Sequence, residues 1–191
     1  MRSVRLATPE ESRDVKDIAL GLRLLETWRL VTCHWTHWNL FHVAWDVILF
    51  GVLAREIERE GRRRLLWLTL AAIVAVSAAV WIISPHLTYY RGLSGITSAY
   101  LGYWGVRRME DCGAERWIGA AVLAGLAAKV AFELMGGTVL ILGDAAGFGP
   151  APMAHAAGGL VGVVAGMASR IRLSRCTLPV VAARVVVERR P

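Results

Sequence analysis

The sequence predicts an all-α fold, a polytopic bundle of membrane-spanning helices. Two observations carry that reading. The 191-residue chain is 55% hydrophobic with a mean hydropathy of +0.47, too apolar for an ordinary soluble domain and too short for two large ones. Its apolar residues are also gathered into continuous runs. Segments 65–84 and 117–142 exceed the roughly 18 residues that mark a spanning helix, and 152–169 reaches that length with many small residues. Segments 42–57 and 92–106 are shorter or dotted with polar groups, which is tolerated where other helices or a water-filled cavity surround them. A soluble bundle would need a polar face on each helix, and these runs leave none. Five spans are therefore expected.

The net charge of +7 is gathered in three places. Arg55, Arg59, Arg62, Arg63 and Arg64 follow the first span. Arg107, Arg108 and Arg116 separate the third from the fourth, and Arg170, Arg172 and Arg175 follow the fifth. The alternate loops, 85–91 and 143–151, hold a single arginine, Arg91. This is the positive-inside pattern, and it predicts the three basic loops in the cytoplasm. Nucleic acid explains the same arginines less well, because they are split among separate loops; the bilayer is the expected partner. Cys33 is predicted on the opposite side from Cys112 and Cys176 and so pairs with neither. No C-x-x-C spacing occurs, and buried thiols are expected. The pattern is silent on oligomeric state.

Taken in order, the chain divides into a polar segment 1–27, a membrane domain 28–170 and a basic cytoplasmic tail 171–191. Segment 1–27 lacks the basic, apolar and small-residue regions of a signal peptide. Its arginines make export awkward, so either 18–25 lies along the membrane surface or a further span precedes the segment. Segment 28–41 is rich in tryptophan and histidine, which predicts a stretch half immersed in the outer leaflet. Its histidines, His34 and His37 with His42 and Asp46, allow a metal reading, although the common zinc-helix motif spaces its histidines differently. The first span ends in Arg55-Glu56-Ile57-Glu58-Arg59-Glu60-Gly61, where alternating charge marks an interfacial helix end. Pro85 stops the second.

From Ser94 the third span repeats small residues at Ser98, Gly102 and Gly105. The fifth does so from His155 at Gly159, Gly162 and Gly166. These offsets fall on one helix face, and small faces let membrane helices approach closely. Packing alone accounts for either face by itself. Lys129 and Glu133, four apart in the fourth span, read as a self-neutralising structural pair. Segment 136–151, rich in glycine and proline, reads as an outer loop able to act as a gate.

Two side chains at the heads of these faces bear on chemistry. Ser94 lies between glycines in Tyr90-Arg91-Gly92-Leu93-Ser94-Gly95, and His155 is the only histidine downstream of it. Ser94 is either a filler that bonds its own backbone or a nucleophile. A serine becomes nucleophilic when a neighbouring base takes its proton, and histidine has the pKa to do so. The developing oxyanion needs donors, for which the Ser94 backbone N–H and the His42 side chain are available. That chemistry calls for no metal and no cofactor.

These residues resemble the rhomboid intramembrane serine proteases. The likeness is carried by Trp28-Arg29 before the first span, His37 and His42, Glu58 at the inner end, Gly92-Leu93-Ser94-Gly95, and His155 with its following glycines. The wording of Thr32-Cys33-His34-Trp35 and Tyr90-Arg91-Gly92 is most similar to the rhombosortase branch. The resemblance implies a Ser94–His155 dyad, with His42 and the Ser94 amide in an oxyanion hole lined by Gly92 and Asp46. It implies hydrolysis of a membrane-anchored protein near the outer face of its transmembrane helix, in a bacterial plasma membrane. For the branch it implies trimming of C-terminal Gly-Gly sorting tails.

The chain departs from the family pattern at three points. Asp46 stands where rhomboids usually have asparagine, so its carboxyl must be protonated, turned away or paired with His42. Ser98 stands where an aromatic ring usually stacks on the catalytic histidine, so His155 must be held by other means. The family core has six spans, which puts the sixth before Trp28. Two other readings stay open: a non-cleaving rhomboid-like protein that binds transmembrane helices, and a metal or haem carrier using His34, His37 and His42.

Overall fold

The structure, a computed structural model, describes residues 28–37, 40–84, 90–137 and 151–169. The expected segment 1–27, the tail 171–191 and nearly all of the loop 136–151 lie outside the described residues. Within them the chain is all-α, without a strand. A short α1 (Arg29–Thr32) runs into a 3-10 turn (Cys33–Trp35), followed by five long helices: α2 (Leu40–Glu60), α3 (Arg62–Ile83), α4 (Ser94–Arg108), α5 (Ala114–Leu134) and α6 (Pro152–Ala168). These are the five expected spans. α3 and α5 are long and apolar enough to cross a membrane alone, and α6 is a shorter apolar helix. Many large apolar side chains face outward, including Ile48, Val52, Leu66, Val74, Trp117 and Val164. Such a surface suits lipid rather than water.

Three boundaries follow from local chemistry. Gly61, at φ +150°, is the single residue separating α2 from α3. Pro152 opens α6 at its first position, where the missing N–H costs nothing. α5 stops at Leu134 instead of running on to 142. Gly136 takes the left-handed conformation at φ +85°. The N–H of Gly136 donates to Glu133 O at 3.1 Å and that of Gly137 to Phe132 O at 3.0 Å. That pair of bonds is a Schellman stop.

α4 sits at the centre, with eleven of its 15 residues buried. Fifteen residues span about 22 Å, short of the ~30 Å hydrocarbon core. Arg107 and Arg108 end α4, and such residues prefer the interface, so the shortfall falls at the Ser94 end. The α4–α6 contact runs along glycines as expected, but in a shifted register. A methyl added at Gly158 or Gly162 would overlap the carbonyl oxygens of Gly95 or Ala99, and one at Gly102 would meet Gly159 O at 2.5 Å. Gly105 faces α5 instead, against Leu123 and Gly119.

At the far end of the bundle one carboxylate joins three helices. Glu60 Oε2 accepts from Tyr103 Oη at 2.8 Å, Arg107 Nε at 3.2 Å and Arg64 Nη1 at 2.6 Å. Glu58, the residue singled out in the sequence, is exposed. Between the two ends, Tyr100 stacks on Phe50 with ring centroids 5.2 Å apart and donates to Thr69 Oγ1 at 2.6 Å.

Candidate active site

Ser94 begins α4 and His155 lies in the first turn of α6. Because their glycines bring the two backbones into contact just beyond, the two side chains meet. His155 Nε2 lies 2.9 Å from Ser94 Oγ, across 61 positions of chain. Ser98, one turn into α4, donates to Ser94 O at 2.8 Å.

The far nitrogen of the imidazole is not idle. His155 Nδ1 lies 2.6 Å from Glu133 Oε2 and 2.8 Å from Lys129 Nζ. Lys129 Nζ also donates to Glu133 Oε1 at 2.6 Å. The expected structural pair on α5 is therefore part of the site. The arrangement is Ser94–His155–Glu133 with a lysine attached, and hydrogen bonding rather than ring stacking holds His155.

Asp46 is the second carboxylate. Its Oδ2 accepts the backbone N–H of Leu93 at 3.0 Å and lies 3.3 Å from both His42 Nε2 and His37 Nε2. The two imidazoles meet edge to face, centroids 5.2 Å apart. Of the possibilities raised for Asp46, pairing with His42 is the one found; His37 Nε2 comes equally near but makes no hydrogen bond. Gly92 adopts φ +123°. A side chain there would come within 3.2 Å of Asp46 Oδ2 and His42 Nε2. The backbone conformation calls for glycine here, and any side chain would also press on those two neighbours.

The segment after Trp28 braces this loop. Gly92 N–H donates to Cys33 O at 3.3 Å. His34, with no exposed surface, lies 3.2 Å from Ser77 Oγ, which donates to Leu30 O at 2.7 Å. The His34 ring also meets Tyr90 edge on at 5.5 Å. Trp28 and Trp35 remain more than half exposed, so this stretch buries His34 and leaves those two indoles outside. His34 meets Ser77 and Tyr90, whereas His37 and His42 lie beside Asp46. No group of His, Cys, Asp and Glu suited to a metal ion occurs among the described residues.

Residues 24–172 match the family described as Rhomboid domain. The chain belongs to the rhomboid family. It is an integral membrane protein with the all-α bundle of that family, whose members are usually intramembrane serine proteases acting on transmembrane substrates. No curated protein and no solved structure matches the chain. Sequence reasoning about this rhomboid missed Glu133. The signal was present, since an ionisable residue inside a span is a functional-site candidate by default. The four-residue spacing to Lys129 gave it a sufficient local explanation.

Proposed function

We propose that this rhomboid is an intramembrane serine endopeptidase in which Ser94 is the nucleophile and His155 its base. The observation that carries the reading is the 2.9 Å approach of His155 Nε2 to Ser94 Oγ. In the first step Ser94 Oγ attacks the substrate carbonyl and its proton passes to Nε2. As the tetrahedral intermediate collapses, the C–N bond breaks and that proton goes to the leaving amine. Water, activated by the same nitrogen, then frees the acyl group. The Ser94 N–H and the His42 side chain are the oxyanion donors, and Gly92 leaves room for substrate beside them. The basic loops support a cytoplasmic position for the Glu60 end of the bundle. Cleavage then falls near the non-cytoplasmic face of a substrate helix, in a bacterial plasma membrane. The wording around Cys33-His34-Trp35 and Arg91-Gly92 favours rhombosortase-type trimming of C-terminal Gly-Gly tails.

The test is cleavage of a membrane-anchored reporter in proteoliposomes. We expect Ser94→Ala and His155→Ala each to abolish it while the protein stays folded. Wild-type turnover in either variant counts against the pair.

One observation favours a second reading, a rhomboid-like protein that binds transmembrane helices without cutting them. Asp46 Oδ2 already holds Leu93 N–H and lies beside His42, so a carboxylate stands where an oxyanion must be stabilised. Fluorophosphonate labelling separates the two. Labelling that disappears in Ser94→Ala supports the protease; none in a folded sample supports the binding protein.

A further inference from the structure

An ion pair inside a membrane bundle needs a reason, because each ion must be taken from water. The Glu133 side chain is 2% exposed and that of Lys129 34%. Both reach the one nitrogen of His155 that faces away from Ser94. Oε2 of Glu133 is 2.6 Å from Nδ1, and Nζ of Lys129 is 2.8 Å from the same atom.

Chemistry at that atom decides whether His155 works as a base. A neutral imidazole carries one proton. For Nε2 to receive the Ser94 proton, its lone pair must be free, so the ring proton must be on Nδ1. A group that accepts at Nδ1 selects this tautomer, and a group that donates there selects the opposite one. Glu133 is the acceptor and Lys129 the donor.

Satisfaction of the buried carboxylate settles the competition. If Lys129 donated to Nδ1, the ring proton would move to Nε2 and Glu133 Oε2 would lose a donor in a site with almost no water contact. If Nδ1–H donates to Oε2, then Lys129 remains on Oε1 at 2.6 Å and both carboxylate oxygens are served. Unmet buried acceptors are strongly disfavoured, so the second arrangement prevails.

We propose that Glu133 is a positioning residue, holding His155 in the Nδ1–H tautomer with Nε2 open toward Ser94, while Lys129 neutralises the charge of the carboxylate. The proposal rests on the nucleophile–base reading of Ser94 and His155. During acylation the Ser94 proton moves to Nε2 and the ring becomes an imidazolium. Glu133 stays a carboxylate beside it, and the proton leaves with the amine as the C–N bond breaks. Glu133 thus replaces, by hydrogen bonding, the aromatic stacking that Ser98 cannot supply.

The experiment uses the full chain in detergent micelles with nitrogen-15 in its histidines, at mildly alkaline pH. The His155 ring is identified by the signals lost in His155→Ala. We expect the wild-type ring to be protonated at Nδ1 and bare at Nε2. A wild-type ring protonated at Nε2 overturns the proposal without recourse to any variant.

Glu133→Gln should lose the single tautomer and lower kcat on the order of 10²–10⁴-fold, with KM little changed. Glu133→Asp should recover part of both. An unchanged tautomer with unchanged kcat in Glu133→Gln also overturns it. Failure of the protease reading itself looks different: either the wild type cleaves no reporter, or cleavage survives Ser94→Ala, whatever the His155 tautomer.

Discussion

The two ends of the bundle solve one problem with different partners. Each end ties separate parts of the chain together through a carboxylate. At the far end Glu60, 23% exposed, collects Tyr103, Arg107 and Arg64, groups that keep their charge state under all ordinary conditions. At the Ser94 end Asp46 is 7% exposed and Glu133 2%, and besides Lys129 on Glu133 their neighbours are imidazoles, His37, His42 and His155. An imidazole changes charge near neutrality. The far end is therefore a staple, and the Ser94 end has the same geometry built from groups able to move a proton. Burial without arginine separates a site from a brace.

The comparison breaks most severely if the glycine seam between α4 and α6 is filled, because that seam alone brings Ser94 to His155. Gly162→Leu sets a side chain onto the Ala99 carbonyl. Backbone cannot yield as a flexible side chain does, so the helices must separate. We expect a loss of at least about 3 kcal/mol, typical of the worst overpacking, and loss of reporter cleavage, while the Glu60 cluster survives. Thermal unfolding in detergent and cleavage in liposomes measure the two. Gly125→Leu on α5, which meets nothing within 4 Å, is the control and should unfold like wild type.

That contrast also explains what was legible in the sequence. Long apolar runs announce spans because lipid forces every backbone group into a helix, and α2 to α6 follow from them. Ser94 and His155 were legible because each heads a small-residue face, and two such faces tend to meet. The register of their seam was not. Gly158, rather than Gly159, lies on Gly95, a one-residue offset set by both helices together. Glu133 was hidden for a similar reason. Spacing tells which residues share a face of α5 but not that this face meets the His155 end of α6. The stop at Gly136 was readable from two glycines after Leu134, yet apolar residues beyond them suggested a longer span. Glu58 and Glu60 are two apart in one charged run, and only the position of α4 selects Glu60.

A smaller effect sharpens the chemical half of the comparison. Asp46→Asn keeps shape and an oxygen able to accept from Leu93 N–H, while the negative charge beside His42 disappears and an amide donor is gained. A donor aimed at the oxyanion helps where a carboxylate hinders. We expect kcat for reporter cleavage to rise, on the order of tenfold, with little change in thermal stability. A fall in kcat shows that the carboxylate itself is needed, through its pairing with His42. The equivalent change at the staple, Glu60→Gln, should leave kcat nearly untouched and lower stability instead.

Acid tests the mildest difference. Burial pushes the His34 imidazole down from 6.5 to about 4, so the fold holds the ring neutral while the unfolded chain already takes up a proton near 6.5. The unfolded state binds more protons in that window. Stability is complete above it and declines as pH falls from 6.5 through 4, by on the order of 3 kcal/mol. The staple at Glu60 contains no imidazole, only the Tyr103 hydroxyl, Arg107 and Arg64 around one carboxylate. Acid should therefore loosen the brace around Gly92 before the staple. Hydrogen exchange in detergent, corrected for intrinsic rates and read at stepped pH, distinguishes the two. Peptides covering 28–37 and 90–94 should open before those covering 56–64 and 103–110. The reverse order would mean that His34 carries little of the local stability and that Ser77 and Cys33 hold the loop without it.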